Sequence, residues 1–172
     1  MPRIITARHR ESETERARNY IKSRLMLPTI PLAMVALLTG YGGMAVLWFD
    51  GKLTAQALLS STALFLFGVI LGWAHSRYER YLIRVSPEYF ARKHKLLEAA
   101  KEYRRPKRDL PNAGPNHPGR AWVPIIYAVA ISGVLGLSVS LADQLGVYAA
   151  FFLPWAGYFN AKVISWRALF AP

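Results

Sequence analysis

Four stretches of the chain, residues 30–49, 54–74, 123–142 and 146–161, hold no Asp, Glu, Lys or Arg, and nearly all charge lies around and between them. A helix crossing a hydrocarbon core of about 30 Å needs roughly 20 apolar residues. Ile30–Phe49, Thr54–His75, Trp122–Ala142 and Gly146–Ser165 meet that length, the last interrupted by Pro154, Asn160 and Lys162. Helices are expected because lipid offers the backbone no hydrogen-bond partners. The period-two alternation of a barrel strand is absent.

Asp50-Gly51-Lys52-Leu53 separates the first two stretches, and Asp143-Gln144-Leu145 the last two. Links this short make consecutive helices antiparallel neighbours. The pattern therefore predicts an all-α membrane protein with four transmembrane helices arranged as two helical hairpins, and a cytoplasmic amphipathic helix between them. The expected divisions are a basic N-terminal segment (1–27), a first hairpin (28–76), a basic loop (77–121), a second hairpin (122–165) and a short C-terminus (166–172). Ala55-Gln56-Ala57 resembles a signal-peptide cleavage site. The apolar run before it, however, outlasts the usual 7–15 residues or so of a signal core and follows a long basic leader. These residues are expected to open the second membrane helix instead.

Charge then orients the chain. Of 22 Lys and Arg, the short links hold only Lys52; the leader, residues 77–120 and the C-terminal end hold the rest. The positive-inside rule places both termini and the long loop in the cytoplasm, and a bacterial inner membrane is the expected location. Trp48 and Phe49 fall at the outer boundary, and Trp73, Trp122 and Trp166 at the inner one, where amphipathic rings favour the headgroup region. Trp155 falls in mid-span and does not fit.

The polar segments have patterns of their own. Ser12-Glu13-Thr14-Glu15 has capping-box form, and Ala17, Ile21 and Leu25 follow as a narrow apolar stripe suited to a helix in the membrane interface. Pro28 and Pro31 are expected to punctuate the entry to the membrane. Ser86-Pro87-Glu88 reads as a helix start, predicting a helix over 86–103 that ends at Arg104-Arg105-Pro106-Lys107-Arg108. Tyr89, Phe90 and Leu97, with Arg104, Arg105, Lys107 and Arg108, form a candidate cytoplasmic docking surface for anionic lipid headgroups or a protein partner. The bland alternative for the basic run is a topology determinant.

Small residues recur at four-residue spacing inside the apolar stretches: Gly68 and Gly72; Ala128, Ser132, Gly136 and Ser140; Gly157 and Ala161; Ala36 and Gly40. Such faces let helix backbones approach in lipid, where no hydrophobic drive pulls helices together. The pattern alone leaves two uses open, packing within one bundle or contact with another chain.

Composition removes much chemistry. There is no cysteine, and His9, His75, His94 and His117 are dispersed with no metal-binding spacing. No catalytic or metal-ligating set is expected, and no cofactor is predicted, although an apolar surface leaves room for a pigment, a quinone or a lipid. Mid-span carboxylates, expected of a proton-coupled transporter, are missing. Nucleic-acid binding has no supporting motif. The leading expectation is a non-enzymatic accessory or assembly subunit that packs against larger integral membrane proteins, with self-association as a variant. Two alternatives are a homo-oligomeric transporter or channel lined by Gly40, Gly43, Ser132 and Ser140, and a lipid-acting enzyme using His75, Arg77, Tyr78 and Glu79.

Overall fold

The structure, a computed structural model, describes residues 15–93 and 121–170. Helices account for the regular structure, and no strand occurs among the described residues. They are α1 (Leu27–Phe49), α2 (Ala55–Val85), α3 (Trp122–Ser140), the one-turn α4 (Ala142–Leu145) and α5 (Val147–Phe170). Residues 15–20 are also helical and lead through a π-helical turn, Ile21–Met26, into α1. Residues 87–93 begin a further helix after a break at Ser86.

Among the described residues, three helices are long and apolar enough to cross a membrane: Glu15–Phe49, Ala55–Val85 and Trp122–Ser140. They present large apolar side chains outward, among them Leu38, Leu59, Ile70, Ile126 and Val129. That is the surface of a protein whose solvent is lipid, since a soluble chain of this size rarely exposes contiguous apolar area on such a scale. This composition identifies an integral membrane protein.

The described residues fall into two compact units, one of residues 28–77 with 121–170, the other of residues 15–27 with 78–93. In the first unit, α1 ends in a Schellman motif. Gly51 N–H donates to the Trp48 carbonyl (3.0 Å) and Lys52 N–H to that of Leu47 (2.9 Å). Gly51 takes the left-handed conformation this cap requires, with φ 68°. Thr54 Oγ1 then accepts the Ala57 N–H at 3.1 Å, capping the start of α2. The second link folds more tightly than a plain loop: Ala142–Leu145 closes one helical turn, and Gly146, at φ 74° and ψ 148°, redirects the chain into α5. Ser60 Oγ donates to Gln144 Oε1 at 3.3 Å, tying this link to α2. Beneath it lies the core of the unit: Met44, Ala57, Leu64, Leu145, Ala149, Ala150 and Leu153.

Helix α5 is the most enclosed element. Ala149, Ala150, Leu153, Pro154, Ala156 and Trp166 are almost wholly buried. Asn160 is satisfied within the helix, its amide donating to the Ala156 carbonyl at 2.8 Å. A helix covered by its neighbours need not be uniformly apolar, which is why α5 can carry Pro154, Asn160 and Lys162.

Two boundary expectations change. The helix runs unbroken through Pro28 and Pro31. The π turn just before Pro28 provides the reason, for there the Leu27 N–H bonds the Lys22 carbonyl five residues back, shifting the hydrogen-bond register where proline supplies no donor. Helix α2 also continues past His75 to Val85, so the segment read as the start of a loop begins as helix. The break at Ser86 and the restart at Pro87 fall where the Ser-Pro-Glu signal placed them.

Candidate functional site

The small-residue faces divide sharply. On α2, a methyl group added at Gly68 would run into the backbone carbonyl of Pro154, and one at Gly72 into that of Tyr158. On α5, a methyl at Gly157 would meet the carbonyl of Phe65. The matched order, 68 with 154 and 72 with 158, means that α2 and α5 run parallel at backbone-to-backbone distance. Ala161, one turn beyond Gly157, is buried. On α1, an added methyl at Gly40 would lie 3.1 Å from Leu153 Cδ2, and one at Gly43 would lie 3.0 Å from the Ala149 nitrogen. That order is reversed, so α1 is antiparallel to α5. The GxxxG of α2 and the small residues of α1 and α5 therefore serve packing within the chain.

The α3 stripe has the opposite fate. Ala128, Ser132, Gly136 and Ser140 are all exposed, and a methyl group at Gly133 or Gly136 would meet nothing within 4 Å. The inward side of α3 is carried by Val134 and Ser138. The residues suggested for a transport path separate accordingly. Gly40 and Gly43 pack on α5, while Ser132 and Ser140 face outward.

A polar cluster lies where α2, α3 and α5 meet, away from the Gly51 and Gly146 turns. The Tyr158 hydroxyl and His75 Nδ1 share a hydrogen bond of 2.6 Å. The Tyr127 ring packs on His75 with centroids 4.7 Å apart, and Lys162 places its ammonium 5.7 Å from the centre of the Tyr158 ring. One sequence expectation fails here: Trp166, assigned to the boundary belt, is 0% exposed, and Lys162 beside it on the helix is 8% exposed. Both lie on the face of α5 that packs inward, at four-residue steps from Tyr158. Trp48, Phe49, Trp73 and Trp122 are exposed, and the Arg77 guanidinium sits 4.7 Å over the Trp73 ring. Trp155, the misfit, is half-buried beside Tyr158 and Phe159.

In the second unit, Ala17 and Ile21 of the apolar stripe are fully buried within the protein, and Tyr20 joins them. Phe90, a candidate docking residue, is buried too, with its ring 6.0 Å from that of Tyr20. Lys93 brings its ammonium 5.8 Å from both the Tyr20 and the Tyr89 ring centres. Phe90 thus has an apolar contact inside its own chain, and Tyr89 remains half-exposed. Tyr78 and Glu79 are half-buried in this unit. Leu97, Arg104, Arg105, Lys107 and Arg108 lie outside the described residues.

Sequence reading missed Tyr20, Tyr127 and Tyr158. The four-residue spacing of Tyr158, Lys162 and Trp166 was a signal that could have found the last of these, since it sets a phenol, an ammonium and an indole on one helix face. Among the described residues, no group of three or more His, Asp or Glu comes together as a metal site. Comparison with protein-family models, with curated proteins and with solved structures finds no match for the chain.

Proposed function

We propose that the protein is a non-enzymatic accessory or assembly subunit of a larger membrane complex, and that the outward face of α3 is where a partner helix packs. The observation that carries this reading is the open small-residue stripe Ala128-Ser132-Gly136-Ser140. In lipid, a face of small residues gains nothing over a leucine face unless another helix backbone comes close. Among the described residues, the small-residue faces of α1, α2 and α5 each have such a neighbour.

In this reading α5 is a fourth span, and the molecule is a pair of helical hairpins. Its support is the length of α5, 24 residues, and its parallel register with α2. Both termini and the long loop face the cytoplasm of a bacterial inner membrane. The Lys and Arg distribution supports that orientation, and the loop's positive charge favours anionic lipid on that side.

Purification from native membranes in mild detergent tests the proposal. A defined heteromeric complex is expected, and Gly136→Leu is expected to release the partner while the subunit still inserts and accumulates. Recovery of a lone monomer or a homo-oligomer at native expression would refute it.

A further inference from the structure

We propose that the exposed surface of the N-terminal helical segment, residues 15–26, docks on the anionic headgroups of the adjoining bilayer, held by charge and without insertion. The inference rests on the preference for anionic lipid proposed above, and narrows it to one element and one mode of contact. A helix that inserts into the interface needs an outward apolar face. Here that face is taken up inside the protein. Ala17 and Ile21 are 0% exposed and Tyr20 is 7% exposed, with the Tyr20 ring against Phe90. The exposed residues from 15 to 24 are Glu15, Asn19, Ser23 and four cations, Arg16, Arg18, Lys22 and Arg24. None of the four is held by an ion pair among the described residues. Such a surface has charge to offer an anion and no large apolar side chain to bury. Each Lys or Arg close to an anionic surface favours contact about fivefold, so four outweigh the one acid.

Position selects the bilayer over an acidic protein. The roughly 20 residues that cross the hydrocarbon, counted back from Trp48 and Phe49 at the Gly51 end of α1, finish near Ile30. The chain from Arg24 to Ile30 is helical throughout. At 1.5 Å per residue, Arg24 and Lys22 stand no more than about 9 and 12 Å of helix from that edge. The headgroup layer extends about 5–8 Å beyond the hydrocarbon, and an unpaired charge acts over a further 8 Å or so at physiological ionic strength. Lipid headgroups are thus the anions that chain connectivity alone brings to these two cations.

The test uses the full-length protein carrying a spin label at Asn19→Cys, in nanodiscs of phosphatidylcholine alone or with phosphatidylglycerol. Nanodiscs open both faces to reagent, so the result does not depend on orientation. Phosphatidylglycerol should protect the label from a neutral, water-soluble nickel complex, without the rise in oxygen accessibility that marks acyl chains. Salt at about 1 M, which shortens the screening length to about 3 Å, should abolish the protection. Lys22→Gln and Arg24→Gln should each weaken the docked state about fivefold, and Lys22→Arg should retain it. The salt titration needs no charge variant and decides the matter should either fail to fold. Equal accessibility in the two bilayers would overturn the surface, as would protection that survives high salt. Protection in phosphatidylcholine on adding polyglutamate, with none from phosphatidylglycerol, would overturn it in favour of an acidic protein. Preferential retention of phosphatidylglycerol by the purified protein, with the label equally accessible in both bilayers, would overturn this surface and leave the broader lipid preference standing.

Discussion

The glycines of α2 and the glycines of α3 stand in similar apolar sequence and in opposite surroundings. Gly68 and Gly72 sit so close to α5 that an added methyl group would enter its backbone carbonyls, whereas Gly133 and Gly136 border open space. A small-residue face specifies how near another helix can come, and nothing about which helix it is. What separates the two cases is the complement. The α2 face meets the backbone of Pro154 and Tyr158 on α5, whose Gly157 meets Phe65 and Val69 in return, and the α1 face finds Ala149 and Leu153 there too. With α5 occupied by α1 and α2, the longest stripe in the chain is left without a counterpart among the described residues.

The comparison breaks first at the closest contact. Gly68→Leu or Gly72→Leu should force α2 from α5 and destabilise the unit by about 3 kcal/mol or more, because the obstruction is backbone and cannot rotate away. Gly157→Ala should cost about 1–3 kcal/mol for the same reason. Unfolding titrations in mixed micelles measure both, and wild-type stability in either variant would mean that the helices stand further apart.

A smaller effect is expected in the other unit. Phe90→Leu keeps most of the buried apolar bulk and removes the ring that meets Tyr20, worth about 0.5–1.5 kcal/mol as an aromatic pair beyond its area. Amide exchange over residues 15–27 should rise by a corresponding factor, while α5 is unchanged. Unaltered exchange there would leave Phe90 available for an external partner, as the docking surface first required. The mildest packing change is Gly43→Ala, where the neighbour lies 3.0 Å from the new methyl and a shift of a few tenths of an ångström suffices. A loss of no more than about 1 kcal/mol is expected there, partly offset by alanine's higher helix propensity.

Much of the helical layout could be read from the chain, because lipid demands long charge-free stretches and the turns between them carry Asp and Gly. Gly51 and Gly146 both fall where the short links placed a reversal. Burial was less legible, since apolar residues are required both inside the bundle and against lipid, so hydropathy cannot separate the two environments. Trp166 shows the cost of that ambiguity. By sequence it belongs at a wet boundary, and only the packing of α5 among its neighbours turns it inward. Pro28 and Pro31 misled for a local reason, because a π turn that accommodates proline leaves no compositional mark. The polar cluster was hidden by distance, with His75 and Tyr158 separated by 83 residues.

The central claim is that α3 offers a face to another protein. The chain has no cysteine of its own, so a single thiol can be placed there without background. Ser132→Cys carrying a photoactivatable label, illuminated in native membranes, should yield an adduct with a second, different polypeptide, and Ala161→Cys on the enclosed face of α5 should not. Labelling of lipid alone from position 132, with the polypeptide unshifted, would contradict it.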